Sequence, residues 1–510
     1  MKHFKWIVRL SFLVSLIAGI FTSSCNVDTM NYSLDDSDVF IDSIIIEASN
    51  NSFLEEDIVT SITNYSRSIT ASLPSSSQDK ELVLSIFLSD GISTIPASGE
   101  AFPTGESSLK AFGFGLEEAY SLNLKVLEPF ESDTEFISVW RAEAGEKITL
   151  PLIETGNYNF KVFWGDGESS IVATYDLESA SHTYAEAGDY TVTVWGVLQG
   201  FNFDLTDASA DNILDITDWG TITLGNDGGY FRSCANLQIS ASNTPDLSET
   251  TNFRTMFREA TSFNSNINHW DVSKVDSMWD MFYKASNFNQ PLDNWDVSSV
   301  TTFETMFNQT AFNQDISGWN VSSATTLKNM FRDCPFNQPI GNWDISNVTS
   351  LQSTFRDNDA FDQDLSGWGD KLQNIITMRE LFRGSDYNGD LSAWDVSKVV
   401  SMWDMFKDSK FNNASVLVWN LDNLDNMETM FGGESAFNQD ISVWDVSSVV
   451  NMQNLFNGNT VFNQDLSGWD VSNVKCNYAF DTGASQWEDA HKPVFTADQF
   501  DNNSFCSRDN

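Results

Sequence analysis

The sequence predicts a mixed fold, with N-terminal β-sandwich modules followed by an α/β solenoid. Three observations predict it. Short β-rich runs separated by Ser, Gly, Pro and Asn turns fill residues 39–198. Nine tryptophans then recur every 24–26 residues from Trp270 to Trp469. Inside each repeat, apolar residues fall at i, i+3 and i+7, the spacing of one face of a short helix.

The first 24 residues carry Lys2, Lys5 and Arg9 and no acid, and Leu10 to Phe21 is an apolar run of 12 residues. That run is short for a bilayer span and reads as an export signal. Ser23, Ser24 and Cys25 follow, a spacing that resembles a bacterial lipoprotein signal, with Thr22 where Leu is preferred. The resemblance implies a signal peptide over 1–25 with lipidation at Cys25; ordinary signal cleavage is the alternative. Residues 26–38 read as a polar tether. Acidic residues soon after such a Cys resemble the surface-export signal of Bacteroidota lipoproteins, which implies the outer membrane and the cell surface.

Beyond the signal, 24 basic residues face 72 acidic ones, a formal charge of −48. Nucleic acid and anionic lipid are therefore disfavoured as direct partners, and the membrane is expected to be met through the lipid anchor only. Cys234 and Cys334 read as buried fillers. Cys476 and Cys506 can pair in an oxidising compartment, and sequence leaves the connectivity open. There is no CxxC and no zinc spacing, so no metal or cofactor is expected.

Residues 39–130 contain IDSIIIEA, SITASLP, ELVLSIFLS, SLKAFGFG and YSLNLKVLEP, the pattern of a β-sandwich. They look like an immunoglobulin-like spacer. In residues 135–198, YNFKVFWGDGESS is followed by SHTYAEAGDYTVTVWG, a pair that resembles the polycystic-kidney-disease (PKD) domain. Tyr158, Phe160, Val162 and Trp164 alternate, as one strand face should. Gly165-Asp166-Gly167 supplies a tight turn where positive φ is cheap. Val192 and Val194 are expected on the core face of the closing strand. Asp166 reads as a turn residue rather than a catalyst.

Residues 200–482 form the array, with residues 483–510 as a cap or tail. Trp270, Trp295, Trp319, Trp343, Trp368, Trp394, Trp419, Trp444 and Trp469 keep step with a phenylalanine series from Phe257 to Phe480 and with a second aromatic series from Phe263 to Phe462. Three locked series mark units that bury their faces on each other. In the Trp444 unit, Trp444 and Val446 would share one face of a short strand, and Ser447 would N-cap a turn. Val449, Met452 and Phe456 would then form a short helix face. The Trp368 unit departs, with Gly369-Asp370-Lys371 in place of D-V-S and two extra residues before Met378, so a local bulge is expected there.

The units W-D-V-S-x-V-x-x-M-x-x-M-F and A-F-N-Q-D-I-S-G-W resemble the BspA-like leucine-rich-repeat surface protein family. That resemblance implies a leucine-rich-repeat-like α/β solenoid, exposure on the cell surface, a role in adhesion or binding, and no enzyme activity.

Ladders along the array have two readings. Asp or Asn follows most repeat tryptophans, as at Asp271, Asp296, Asn320 and Asp344. The plain reading is turn capping, and the sharper one is an acidic strip for cations or ligands. The asparagines at Asn289, Asn313, Asn337, Asn388, Asn412, Asn438 and Asn463 should bond backbone at each corner. One position, polar in most units, holds tryptophan twice, at Trp279 and Trp403, each within M-W-D-M-F. Tyr283 lies four residues after Trp279, on the same face of the expected helix. Trp279, Tyr283 and Trp403 are thus candidate ligand-binding residues; packing over a neighbouring coil is the competing account.

Only His182, His269 and His491 lie outside the signal, and no GxSxG, HExxH, Walker or GxGxxG pattern occurs. The sequence points to a lipid-anchored surface binding protein whose partner is an unknown protein or polysaccharide. Carbohydrate capture and structural self-association are the other expectations.

Overall fold

The computed structural model describes strands within residues 41–126 and the chain over 135–206 and 210–496. Two compact units divide the chain, Met1–Glu131 and Ser132–Asn510.

In the first unit ten strands are described: β1 (Ile41–Ile46), β2 (Ile58–Val59), β3 (Ser61–Thr63), β4 (Ser68–Leu73), β5 (Glu81–Val83), β6 (Ser85–Leu88), β7 (Ser93–Ile95), β8 (Ala101–Pro103), β9 (Ser108–Gly113) and β10 (Leu116–Val126). They form sheets of order β2-β1-β6, β3-β4-β10-β9-β7 and β5-β8. Their pairs are antiparallel except β4 with β10, which run parallel.

The second unit opens with β11 (Phe136–Ala142), β12 (Lys147–Thr149), β13 (Leu152–Phe163), β14 (Ser169–Val172), β15 (Ser181–Thr183) and β16 (Gly188–Phe201). Then come β17 (Ile213–Asp218) and β18 (Gln238–Ile239). One mixed sheet runs β14-β13-β16-β11-β17-β18, and β12 pairs with β15 apart from it. Alternation decides its inner face. Tyr158, Phe160, Val162, Trp164, Val192 and Val194 are all buried. Gly165 turns the chain at φ 86°, where a Cβ would sit 2.6 Å from the Thr191 carbonyl oxygen. Asp166 acts in that turn. Its Oδ1 accepts from the Glu168 amide at 3.0 Å, and its Oδ2 lies 2.6 Å from His182 Nε2.

No linker separates this sheet from the array. β17 belongs to the sheet although its residues lie past 200, and a single buried cluster runs from Phe136 to Trp487. Phe201, on β16, packs against Phe231 at 6.0 Å between ring centroids, and Phe231 stacks on Phe257 at 5.7 Å. The sheet therefore closes the N-terminal end of the aromatic ladder. Trp487 closes the other end, edge-on to Phe456 at 5.0 Å and to Phe462 at 4.8 Å. Stacked repeats need such covers, because each end coil otherwise leaves an apolar face in water.

The repeats do not build the expected α/β leucine-rich-repeat-like solenoid. Among the described residues there is no α-helix, and only three short 3-10 turns occur, at Ser366–Lys371, Ala414–Val418 and Asp489–His491. The structure is almost entirely β and turn. In the Met278–Ala285 segment, the Met281, Tyr283 and Ala285 amides donate three residues back, to the Met278, Asp280 and Phe282 carbonyls. The alternate amides leave the segment. Met278, Asp280, Phe282 and Lys284 donate to the Thr302, Glu304, Met306 and Asn308 carbonyls of the next coil at 2.9–3.1 Å. Asp280 and Lys284 take left-handed φ of 56° and 60° to allow this. Two consecutive turns four residues apart bury the same apolar positions as a helix would. The i, i+3, i+7 pattern cannot tell the two apart.

The short strand at each tryptophan is likewise absent. Trp444 and Val446 are buried but belong to no strand. Each coil instead offers one isolated parallel bridge, as in Asn252↔Ser277↔Thr302↔Thr326↔Ser350. That run is interrupted between Ser350 and Thr377, beside the 3-10 turn of the Trp368 unit. Ser447 caps no helix; its amide donates to Asp445 Oδ1 at 3.0 Å.

The tryptophan beat makes one core. The nine repeat indoles are at most 6% exposed. From Trp295 onward each indole N–H donates to a carbonyl of the preceding coil, as Trp295 Nε1 to Ile267 at 3.1 Å and Trp469 Nε1 to Ile441 at 3.1 Å. Within a coil two aromatic rings lie face to face, as Phe331 and Phe336 at 3.9 Å. Between coils the rings repeat at 5.6–6.0 Å from Phe282 to Phe406. Burial of each such ring stabilises the fold by about 1.5–3 kcal/mol.

Candidate functional site

Three kinds of surface ladder follow from this stacking, and two are uniform. The Asp or Asn after each repeat tryptophan except Trp368 caps its own turn. Asp271, Asp296, Asn320, Asp344, Asp395, Asn420, Asp445 and Asp470 each accept the backbone amide two residues on, at 2.9–3.2 Å. In Asp271, Asp296, Asp344, Asp395, Asp445 and Asp470 the following serine's hydroxyl and amide hold the carboxyl below its usual range. Among the described residues no group of three or more His, Cys, Asp or Glu is placed to hold a metal ion.

The asparagine ladder is equally regular. Asn289, Asn313, Asn412 and Asn438 Oδ1 each accept the amide of the corresponding residue one coil on, at 2.8–3.0 Å. A glutamine Nε2 joins each of these acceptors at 3.0 Å or less.

The third ladder is the outer side of the double-turn segment, and here the units differ. Its leading position runs Arg254, Trp279, Glu304, Lys328, Gln352, Arg379, Trp403, Glu428, Gln453. Inter-coil hydrogen bonds put Tyr478, 73% exposed, at the end of the same column. The sequence reading missed Tyr478 because Phe480 comes one residue early in the last unit, so that counting back from the phenylalanine lands on Asn477.

Neither candidate tryptophan is an open platform; both are partly buried. The Arg254 guanidinium lies over the Trp279 ring at 4.2 Å, and Arg379 lies over Trp403 at 4.2 Å. Tyr283 has Arg258 at 4.9 Å and Lys284 at 5.1 Å. A second arginine, four residues after the first, binds the acid that follows each indole. Arg258 Nη1 meets Asp280 Oδ2 at 2.6 Å, and Arg383 Nη1 meets Asp404 Oδ2 at 2.7 Å. Burial outweighs these partners and holds the Asp280 and Asp404 carboxyls above their usual range.

The same constellation thus stands twice, five coils apart. At the ring spacing above, that is on the order of 30 Å. Trp279 and Tyr283 come together in one site, and Trp403 anchors the other. Arg254, Arg258, Arg379 and Arg383 were not singled out from sequence. The signal was present: an arginine pair at i, i+4 precedes each M-W-D-M-F by one repeat. Cys25, the tether 26–38 and Cys506 lie outside the described residues. Cys476 is disulfide-bonded, while Cys234 and Cys334 are buried free thiols. No helix among the described residues is long and apolar enough to cross a membrane.

No curated protein matches the chain. One family model, described as Mycoplasma protein of unknown function, DUF285, matches three times, at residues 226–335, 310–417 and 409–492. Together these matches span 226–492, just over half of the chain and nearly all of the stacked coils. The chain belongs to the DUF285 family.

Proposed function

We propose that this is a surface-exposed bacterial lipoprotein, anchored through Cys25, that holds macromolecular ligands against the double-turn ladder of its coils. The observation that carries the reading is the contrast between ladders. The Asp and Asn ladders spend their polar atoms on the backbone, whereas the third ladder carries arginines and aromatics at two matched places. Stacked coils present those places on one long surface, which suits multivalent contact with a protein or polysaccharide. The export-signal pattern and the resemblance of the W-D-V-S and F-N-Q-D-I-S motifs to those of BspA-like surface proteins support the surface location. Catalysis forms no part of the proposal.

The test is capture of neighbouring bacteria or host matrix by the full-length chain, with and without charge reversal on the ladder (Lys328→Glu, Arg332→Glu and Lys407→Glu together). Capture should fall at least tenfold in the variant. Undiminished capture, or intact cells whose chain resists added protease, would refute the proposal.

A further inference from the structure

We infer that Arg254 and Arg379 are two equivalent carboxylate-binding sites for an acidic polysaccharide. This deepens the proposed function and rests on it.

The argument begins with charge. Acidic residues outnumber basic ones 72 to 27, so an arginine here meets a carboxylate easily. Residues 135–496 contain eight arginines, and Arg141, Arg232, Arg258, Arg356 and Arg383 each have a carboxylate partner. Arg254, Arg332 and Arg379 make no ion pair among the described residues, and of these Arg254 still acts at longer range on the Asp280 carboxyl. Arg379 Nε is buried without a hydrogen-bond partner.

The tryptophans explain how this state is kept. In the leading column, charges on adjacent coils pair directly; Lys328 Nζ reaches Glu304 Oε1 at 2.9 Å. The order Arg–Trp–Glu occurs twice, as Arg254–Trp279–Glu304 and Arg379–Trp403–Glu428. Each indole separates its arginine from the next acid by two coils rather than one. Each also holds its guanidinium over the ring, with Cζ 4.2 Å from the centroid. The second arginine of each site holds Asp280 or Asp404 in an ion pair, which leaves the first arginine without an ion pair of its own.

A guanidinium held over an indole by its cationic carbon still has N–H groups for a planar, two-oxygen anion, which is the geometry of a carboxylate. Two such forks about 30 Å apart on one regular ladder call for a ligand that repeats the same group along its length. A uronate-bearing polysaccharide does this. At about 0.15 M salt the Debye length of about 8 Å confines the repulsion from the rest of the chain.

The probe is polygalacturonate, with its fully methyl-esterified form as the neutral control, measured against the full-length chain at that salt. The acid form should bind and the ester should not. Arg254→Gln and Arg379→Gln should each weaken binding about tenfold, and the pair at least a hundredfold. Arg141→Gln, which removes an arginine of the sheet that pairs with Asp189 and lies off the ladder, should change nothing. Arg254→Lys with Arg379→Lys keeps charge without the fork and should lose affinity while melting like the parent. Equal binding of the ester, no binding of the acid form, or full binding by the double glutamine variant overturns the inference. Polyglutamate bound through these arginines in place of polygalacturonate overturns it too, in favour of an acidic protein ligand. A chain that ignores polygalacturonate yet loses partner capture on ladder reversal retains the proposed function and loses only this inference.

Discussion

Replacing Asn329 by alanine separates the observed double turn from the helix that the apolar spacing suggests. Asn329 sits in the middle of that segment at φ 56°. Its backbone is pinned on both sides, the amide donating to Gln352 O at 2.9 Å and the carbonyl accepting from the Arg332 amide at 3.2 Å. The residue cannot relax out of the left-handed region without breaking contact with the next coil. An L-residue with a Cβ pays roughly 1–2 kcal/mol there, and asparagine pays less than alanine because its side chain tolerates that conformation. Asn329→Ala should therefore cost about 1 kcal/mol. In a helix the same change would instead add up to about 0.7 kcal/mol, since alanine is the better helix former. The signs are opposite. Asn329→Gly should be near neutral in the turn, as glycine enters the left-handed region freely but loses more chain entropy on folding. Urea unfolding followed by tryptophan fluorescence reads the difference, because the repeat indoles are buried. With a slope of about 3 kcal/mol/M, the Asn329→Ala midpoint should fall by roughly 0.3 M. A midpoint equal to or above that of the parent would refute the turn assignment.

Two further outcomes are expected. Phe331→Ala, which removes a fully buried ring stacked 3.9 Å from Phe336 and 6.0 Å from Phe307, should cost about 3–5 kcal/mol in the same assay, and Phe331→Leu less; a loss under about 1 kcal/mol would mean that the ladder rings are not close-packed. Acidification should also destabilise the coils. The turn carboxylates Asp271, Asp296, Asp315, Asp344, Asp390, Asp395, Asp445, Asp465 and Asp470 have folded pKa values below the ordinary one. Their contribution is present above the unfolded value of about 3.9 and is lost as pH falls through the lower folded values. Asp280 and Asp404 act the other way: their folded pKa is raised, so their contribution is present at low pH and lost as pH rises through it. Nine groups against two give a urea midpoint that falls between pH 5 and pH 3; a flat or rising midpoint would contradict the capping role.

The sequence by itself determined which side chains are buried and which corners are hydrogen-bonded. Trp295, Phe331 and Asn313 recur at one interval, and any chain that stacks at that interval must bury the rings and turn the short amides to the backbone. Tertiary structure decided the backbone path between them. The amides of Met278, Asp280 and Phe282 find their acceptors on the next coil, and a carbonyl 24 residues away is no part of a local pattern. Helix and double turn bury the same positions; stacking breaks the tie, because it offers those amides partners that an isolated segment lacks. The fate of Trp279 and Trp403 was decided in the same way. In the sequence they are aromatics on a polar face. In the fold each lies beneath an arginine one coil earlier, a contact that exists only once the coils are superposed.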